Sequence, residues 1–280
     1  MITRRTSLAL GLAAAGSAAL PGIAFADDAL KSAIAGAWRG EANRVRDPHR
    51  HPYETLLFWG LKPGMTVIEI SPGGGYWTEI LAPYLKATGG TYIATAADLD
   101  NPEISEAARK GRADFAAKYA DASIYGAIKL ANFGPKSGPL GPAGSADLVI
   151  TARNLHNWMR PEGLMAKILG DVHAVLKPGG LLGVEEHRSD PRPQAPGAST
   201  GYMETAYVVA EVEKAGFKLA DKSEINANPK DDKDHPFGVW TLPPVRRTSA
   251  FGQPANPDFD RAPYDAVGES DRMTLRFAKA

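Results

Sequence analysis

Residues 67–83 read Val-Ile-Glu-Ile-Ser-Pro-Gly-Gly-Gly-Tyr-Trp-Thr-Glu-Ile-Leu-Ala-Pro: an apolar run carrying one acid, Glu69, then Ser71-Pro72, three consecutive glycines and a helix-like pattern. A buried strand that turns through glycines into a helix presents bare backbone N–H groups and the positive end of the helix dipole at the strand's carboxyl end. A side chain at such a turn would collide with a ligand lying across it, which is why glycine is needed there. The turn is therefore expected to hold a ligand, framed by a strand over 66–71 and a helix over 76–85.

Outward from this turn, strand-like runs alternate with helical patterns. Toward the N-terminus, 27–45 carries Leu30, Ile34 and Trp38 at helical spacing behind Asp28, a suitable N-cap, and a short helix is expected over 53–59 with Pro52 at its start. Toward the C-terminus, strands are expected over 91–95, 123–129, 146–151, 181–186, 218–225 and 273–278. Helices are expected over 102–120, 163–176 and 203–215, the second stopped by Lys177-Pro178-Gly179-Gly180. Such alternation predicts a mostly parallel sheet with helices on both faces. No helical pattern separates the last two strands, so they are expected to form an antiparallel hairpin at one edge. Between them, 226–272 is long and rich in Pro, Asp and Gly, as expected of a flap near a site or a surface excursion.

The first 26 residues carry Arg4-Arg5, an apolar run from Leu8 to Leu20 and the small-x-small sequence Ala24-Phe25-Ala26. They are expected to be an export signal, with the paired arginines pointing to the twin-arginine route, the general secretory route being the alternative because Ser7 and Ala9 depart from the twin-arginine pattern, and the periplasm or exterior as destination. The apolar run is broken by glycines and falls short of the roughly 20 residues a membrane span requires, so no stable membrane insertion is expected. One domain, 27–280, is expected to follow, opening with helices over 27–60. Removing the leader leaves 30 basic against 32 acidic side chains. That balance gives no footprint for nucleic acid. The sequence has no cysteine, which excludes disulfides, thiolate catalysis and Cys-ligated zinc.

Spacing narrows the choice of ligand. A dinucleotide fingerprint places Gly-x-Gly-x-x-Gly after the strand and an acid about 20 residues later, whereas here the acid, Glu69, lies inside the strand before Gly73-Gly74-Gly75. This resembles the first motif of class I S-adenosylmethionine-dependent methyltransferases, acid-x-Gly-x-Gly-x-Gly, with Ser71 in place of the first glycine and Gly73 and Gly75 as the later two. Residues 146–158, "ADLVITARNLHNW", look like that family's fourth strand and following motif, and 176–186, "LKPGGLLGVEE", like the turn and fifth strand. The chain is most similar to exported predicted methyltransferases of this class, through His51-Pro52-Tyr53-Glu54, Pro72 to Gly75 and Glu186-His187-Arg188. The likeness covers about residue 46 to the C-terminus.

The resemblance implies a Rossmann-like class I methyltransferase fold, α/β, with a seven-stranded mostly parallel sheet and an antiparallel edge strand. It implies S-adenosylmethionine as cofactor, held by Glu69, Ser71, Pro72, Gly73, Gly74, Gly75, Asp98 and Asn154. Asp98 stands one or two residues later than the acid that usually follows the second strand to hold the ribose hydroxyls. A bulky residue at Gly75 is expected to abolish cofactor binding and leave the fold largely intact.

Methyl transfer depends chiefly on holding donor and nucleophile in line. If the acceptor is a hydroxyl, a general base helps, and histidine suits that role. His187, after the fifth strand, is the leading candidate, with His51, Glu54 and His156 beside it; strand alternation is expected to send Glu186 and His187 to opposite faces. Tyr76, Trp77, Trp158 and Tyr202 are candidates for the wall of a pocket for a small apolar or aromatic acceptor. A non-catalytic ligand-binding protein on the same fold is the alternative. A third reading, a metal-dependent hydrolase using these histidines and glutamates, lacks any tight ligand spacing, and no metal ligand is assigned.

Overall fold

The computed structural model describes residues 21–280, with side chains from residue 26 onward, so the expected leader over 1–26 falls almost wholly outside the described residues. Seven strands form one sheet: β1 (Thr66–Ile70), β2 (Thr91–Ala97), β3 (Lys129–Phe133), β4 (Ala146–Ala152), β5 (Leu176–His187), β6 (Phe217–Ser223) and β7 (Arg272–Lys279). Their order is β3-β2-β1-β4-β5-β7-β6. β1 to β5 run parallel, while β7 is antiparallel to both β5 and β6. The expected hairpin is thus present, with its second strand inserted between β5 and β6.

The eleven described α-helices are α1 (Pro21–Ile34), α2 (Glu41–Arg44), α3 (Asp47–Arg50), α4 (Pro52–Phe58), α5 (Thr78–Thr88), α6 (Glu106–Lys118), α7 (Ala122–Tyr125), α8 (Leu155–Trp158), α9 (Leu164–Val175), α10 (Thr205–Lys214) and α11 (Ala262–Val267). None is long and apolar enough to cross a membrane. Alternation along the central strands builds a core on each face of the sheet. Ile68, Ile70 and Val149 pack with residues of α9 and α10, while Val67, Leu148 and Ile150 pack with α1, α4 and α5. Each such buried aliphatic side chain contributes about 1.5–3 kcal/mol.

Three elements differ from expectation. The first helix ends at Ile34 instead of continuing to 45. Beyond it the Trp38 indole folds back over Gly36, where a Cβ would lie 2.2 Å from the ring, and donates to the Glu79 carbonyl in α5. Residues 122–125 are helical and the third strand starts only at Lys129. Asp121 caps α7 by accepting from the Ser123 N–H at 2.9 Å, and Gly126 ends it with φ of 66°. Local capping therefore outweighs the β-prone Ile124-Tyr125 pair. Finally, β5 starts at Leu176 and absorbs the 177–180 turn as an irregularity opposite Ala146 and Leu148.

Candidate functional site

The strand order reverses between β1 and β4, and in open α/β sheets ligands bind outside the carboxyl ends of the strands at such a point. A cavity of about 340 Å³ opens there. Ser71 to Gly74 form one side, Ala152 to Asn154 with His156 and His187 another, and Val239, Trp240, Pro243, Pro244 and Val245 from the long C-terminal segment a third. A second cavity, about 280 Å³, shares Ser71, Pro72 and Gly73 and extends along Thr95 to Ala97 toward Arg112, Phe115 and Phe133. The turn after β1 is thus the common wall of two hollows, one beside β2 and one beneath residues 239–245.

The glycines of this turn do different work. Nothing lies within 4 Å of a Cβ built on Gly74, and only the Ser71 carbonyl, at 4.0 Å, approaches one on Gly73. Both face the larger cavity. Gly75, with φ of 86°, is buried, and a Cβ there would sit 1.7 Å from the Tyr119 hydroxyl. Its missing side chain makes room for Tyr119, whose ring packs on Phe115 and Tyr125. A bulky residue at Gly75 would therefore disturb the fold itself, so the expectation that it would leave the fold intact is corrected. Ser71 has φ of 52°, a left-handed conformation that explains why a glycine suits this position.

Glu69 is buried below the turn and accepts hydrogen bonds from the Tyr92 hydroxyl and, at 3.1 Å, from Thr78 Oγ1. Burial pushes its carboxyl up to about 7 against the opposing effect of those bonds. Asn154 Nδ2 donates to the carbonyls of Ile70 and Ala152 at 3.2 and 3.1 Å, pinning the ends of β1 and β4 together with its amide at the cavity wall. Asp98 lines neither cavity. It accepts from the Asp100 N–H at 3.0 Å within its own turn, while Asp100 accepts from Asn132. The side chains facing the cavity beside β2 include Thr95, Arg112 and Phe115 and no carboxylate.

Two of the four catalytic candidates meet. The short helix α8 sets His156 beside the end of β5, where its Nδ1 lies 3.0 Å from Glu186 Oε1. Glu186 is fully buried and also accepts from the backbone N–H of His156 and of His187. The rings of His156 and His187 are 5.4 Å apart. Although Glu186 and His187 alternate along the strand, His156 packs against both. His187 Nδ1 shares a hydrogen bond with Ser270 Oγ. Burial, then the neighbouring His156 and Arg272, hold the His187 imidazole well below its usual range, so it is neutral at pH 7.

His51 and Glu54 lie elsewhere. His51, at φ of 40°, joins α3 to α4 and faces Asn226, lining a separate hollow with His49, Asn228 and Lys230. Glu54 is exposed on α4. Among the aromatic candidates, Tyr76 and Trp77 reach the cavity. Trp158 is part of the core, and the Tyr202 hydroxyl donates to buried Asp231.

The site also contains groups that sequence reasoning missed. Trp240 lines the cavity edge-on to His156, 5.8 Å between ring centres. Glu269, buried at the cavity wall, accepts from Arg46 at 2.8 Å, from Arg50 at 2.9 Å and from Arg272 at 2.8 Å. Arg153 approaches it at 3.7 Å from a left-handed backbone, φ 60°. The one available signal was the "RNLHNW" motif, whose Arg153 precedes the residue singled out; Arg272 is three residues from Glu269, but Arg46 and Arg50 are more than 200 residues away in sequence.

No protein-family model matches the sequence, and no curated protein matches it. Among solved structures, the chain is similar to the [4+2]-cyclase SpnF, at 15% identity over 92% of this chain and 94% of that one with a TM-score of 0.50. It is also similar to a SAM-dependent methyltransferase from Aquifex aeolicus, at 21% identity over 66% and 92% of the two chains with a TM-score of 0.47. A possible exported protein from Bordetella parapertussis shares 19% identity over 84% and 68%, with a TM-score of 0.45. Likeness at this level concerns the fold and leaves the chemistry to the site. The architecture is the Rossmann-like class I methyltransferase fold that the resemblance implied.

Proposed function

We propose that the protein binds S-adenosylmethionine across the turn after β1 and transfers its methyl group to a small acceptor held beneath residues 239–245. The observation that carries this reading is the turn itself: Gly73 and Gly74 are unobstructed, and Gly73 is shared by two adjoining cavities at the topological switch point. Gly73, Gly74 and Asn154 would hold the amino-acid end, and the hollow along Thr95 to Ala97 the nucleoside. Bound there, the cofactor supplies a methyl group on a sulfonium, a good electrophile with a neutral thioether as leaving group.

The chain's own residues then position the acceptor and remove its proton. Trp77, Val239 and Trp240 exclude water from one side. His156 is the base the geometry favours, because Glu186 holds its Nδ1 and stabilises the imidazolium that forms, as an orienting carboxylate does in other acid–base pairs. The neutral His187 beside it is a hydrogen-bond partner for the acceptor.

Titration calorimetry of the purified protein with S-adenosylmethionine tests the reading, which predicts saturable binding; absence of heat at millimolar ligand would remove it. One observation favours the alternative of a non-catalytic binding protein: Asp98 is engaged within its own turn and Asp100 by Asn132 of β3, and no carboxylate lines the hollow beside β2. Binding without formation of S-adenosylhomocysteine would support that alternative. We also infer from Arg4-Arg5 and Ala24-Phe25-Ala26 that residues 1–26 direct export. A mature protein recovered from the periplasm with residue 27 at its start is the expected result.

A further inference from the structure

Four guanidinium groups, from Arg46, Arg50, Arg153 and Arg272, converge on the carboxylate of Glu269. Among the described residues, Glu185, paired with Arg272 through one oxygen and with its Oε2 left without a partner, is the only other carboxylate bonded to any of them. The two remaining buried acids near the cavity are used elsewhere: Glu186 by His156 and backbone N–H groups, Glu69 by Tyr92 and Thr78. Several guanidinium donors are left over. Arg153 Nε and both Nη atoms of Arg50 are buried with no hydrogen-bond partner among the described residues. Buried donors without acceptors are costly, and those of a cation more so.

The surplus charge faces the cavity. Arg46 and Arg153 line it and are 17% and 21% exposed. Behind the lining, Arg160 and Arg247 stack on Trp240 at 5.5 and 5.3 Å from its ring without lining the cavity themselves, and neither forms an ion pair among the described residues. An excess of cations over ionised acids around a cleft concentrates ligands of the opposite sign. The lining is mixed: Trp77, Val239, Pro243, Pro244 and Val245 offer an apolar face, while Asn154, His156, His187 and Ser270 are polar and the two acids, Glu69 and Glu269, are already engaged by Tyr92 and Thr78 and by the arginines.

We propose that the methyl acceptor is a small organic anion, an apolar or aromatic body whose carboxylate or comparable oxyanion docks on Arg46 and Arg153. This rests on the reading of the larger cavity as the acceptor side of an S-adenosylmethionine site and adds the acceptor's charge to it. The amino-acid carboxylate of the cofactor is a second source of the same chemistry, so the test must separate the two.

Calorimetry on the full protein does so. With the protein saturated in S-adenosylhomocysteine, benzoate is expected to bind about tenfold more tightly than its uncharged isostere benzamide. Arg153→Gln should abolish that preference, and Arg153→Lys should keep part of it, with thermal melts confirming that both variants fold. S-adenosylhomocysteine and 5′-methylthioadenosine, which lacks the amino-acid end, are titrated in parallel into wild type and Arg153→Gln. Equal affinity for benzoate and benzamide overturns the proposal. So does a loss in Arg153→Gln confined to S-adenosylhomocysteine, which would assign the arginine to the cofactor's carboxylate. If neither nucleoside binds, the methyl-donor reading fails separately, and the benzoate preference is still read on the protein alone.

Discussion

Gly74 and Gly75 are chemically identical neighbours with opposite requirements. Gly74→Leu adds a side chain into open cavity at an unstrained backbone and is expected to leave the melting temperature nearly unchanged while weakening S-adenosylhomocysteine binding at least about tenfold. Gly75→Ala forces a side chain into a left-handed conformation and against Tyr119, at an expected cost in stability of about 2–3 kcal/mol. Reversed phenotypes would show that the ligand-facing side of the turn has been assigned wrongly. Glu69 gives a prediction in pH. Its carboxyl titrates near 4.5 when unfolded and at about 7 when folded, so the folded state binds more protons between those values and stability falls as pH rises through them. Above pH 7 the cost is complete, on the order of 3 kcal/mol. The stability of Glu69→Gln relative to wild type should therefore grow from pH 4.5 to 7.5 in urea titrations; a difference independent of pH would contradict the burial argument.

Elements that decide the site differ in how far the sequence reveals them. The strand, turn and helix around Gly73 were legible because apolar runs, glycines and period-3.6 patterning are local signals. The neutral-looking stretch at 122–125 was misread as a strand because a single capping Asp121 decided it. α8 is too short for periodicity to show, yet it sets His156 against Glu186 and makes a dyad from residues 30 apart. The site reading consequently placed the base at His187, the more conspicuous residue at a strand end. The proposed base is instead His156, for its contact with Glu186, and a substitution separates that role from packing. Glu186→Gln preserves shape and is expected to lower the rate of S-adenosylhomocysteine formation about 10²-fold without altering nucleoside affinity. An unchanged rate would reduce Glu186 to a buried backbone acceptor.

Across the whole molecule, Glu269 joins parts of the chain that no local pattern connects: Arg46 and Arg50 from the N-terminal helices, Arg153 after β4 and Arg272 on β7. His51 and Glu54, chosen for a motif preceding the turn, share the N-terminal segment with Arg46, which lines the cavity, and Arg50, which reaches its wall only through Glu269. Sequence proximity therefore located the segment and missed the residues, because their partner lies over 200 positions away. Removing one member of such a buried cluster leaves the others uncompensated. Glu269→Leu is expected to destabilise the protein by about 3–5 kcal/mol in urea unfolding, and a loss below about 1 kcal/mol would mean that water already screens the arginines.

The most direct test is a crystal structure of the protein with S-adenosylhomocysteine. The ligand's amino-acid end should lie over Gly73 and Gly74 beside Asn154, its ribose and base in the hollow along Thr95 to Ala97, and its sulfur should face the cavity that holds His156 and Trp240. A nucleoside seated instead in the hollow between His51 and Asn228, or none bound at saturating concentration, would contradict the account.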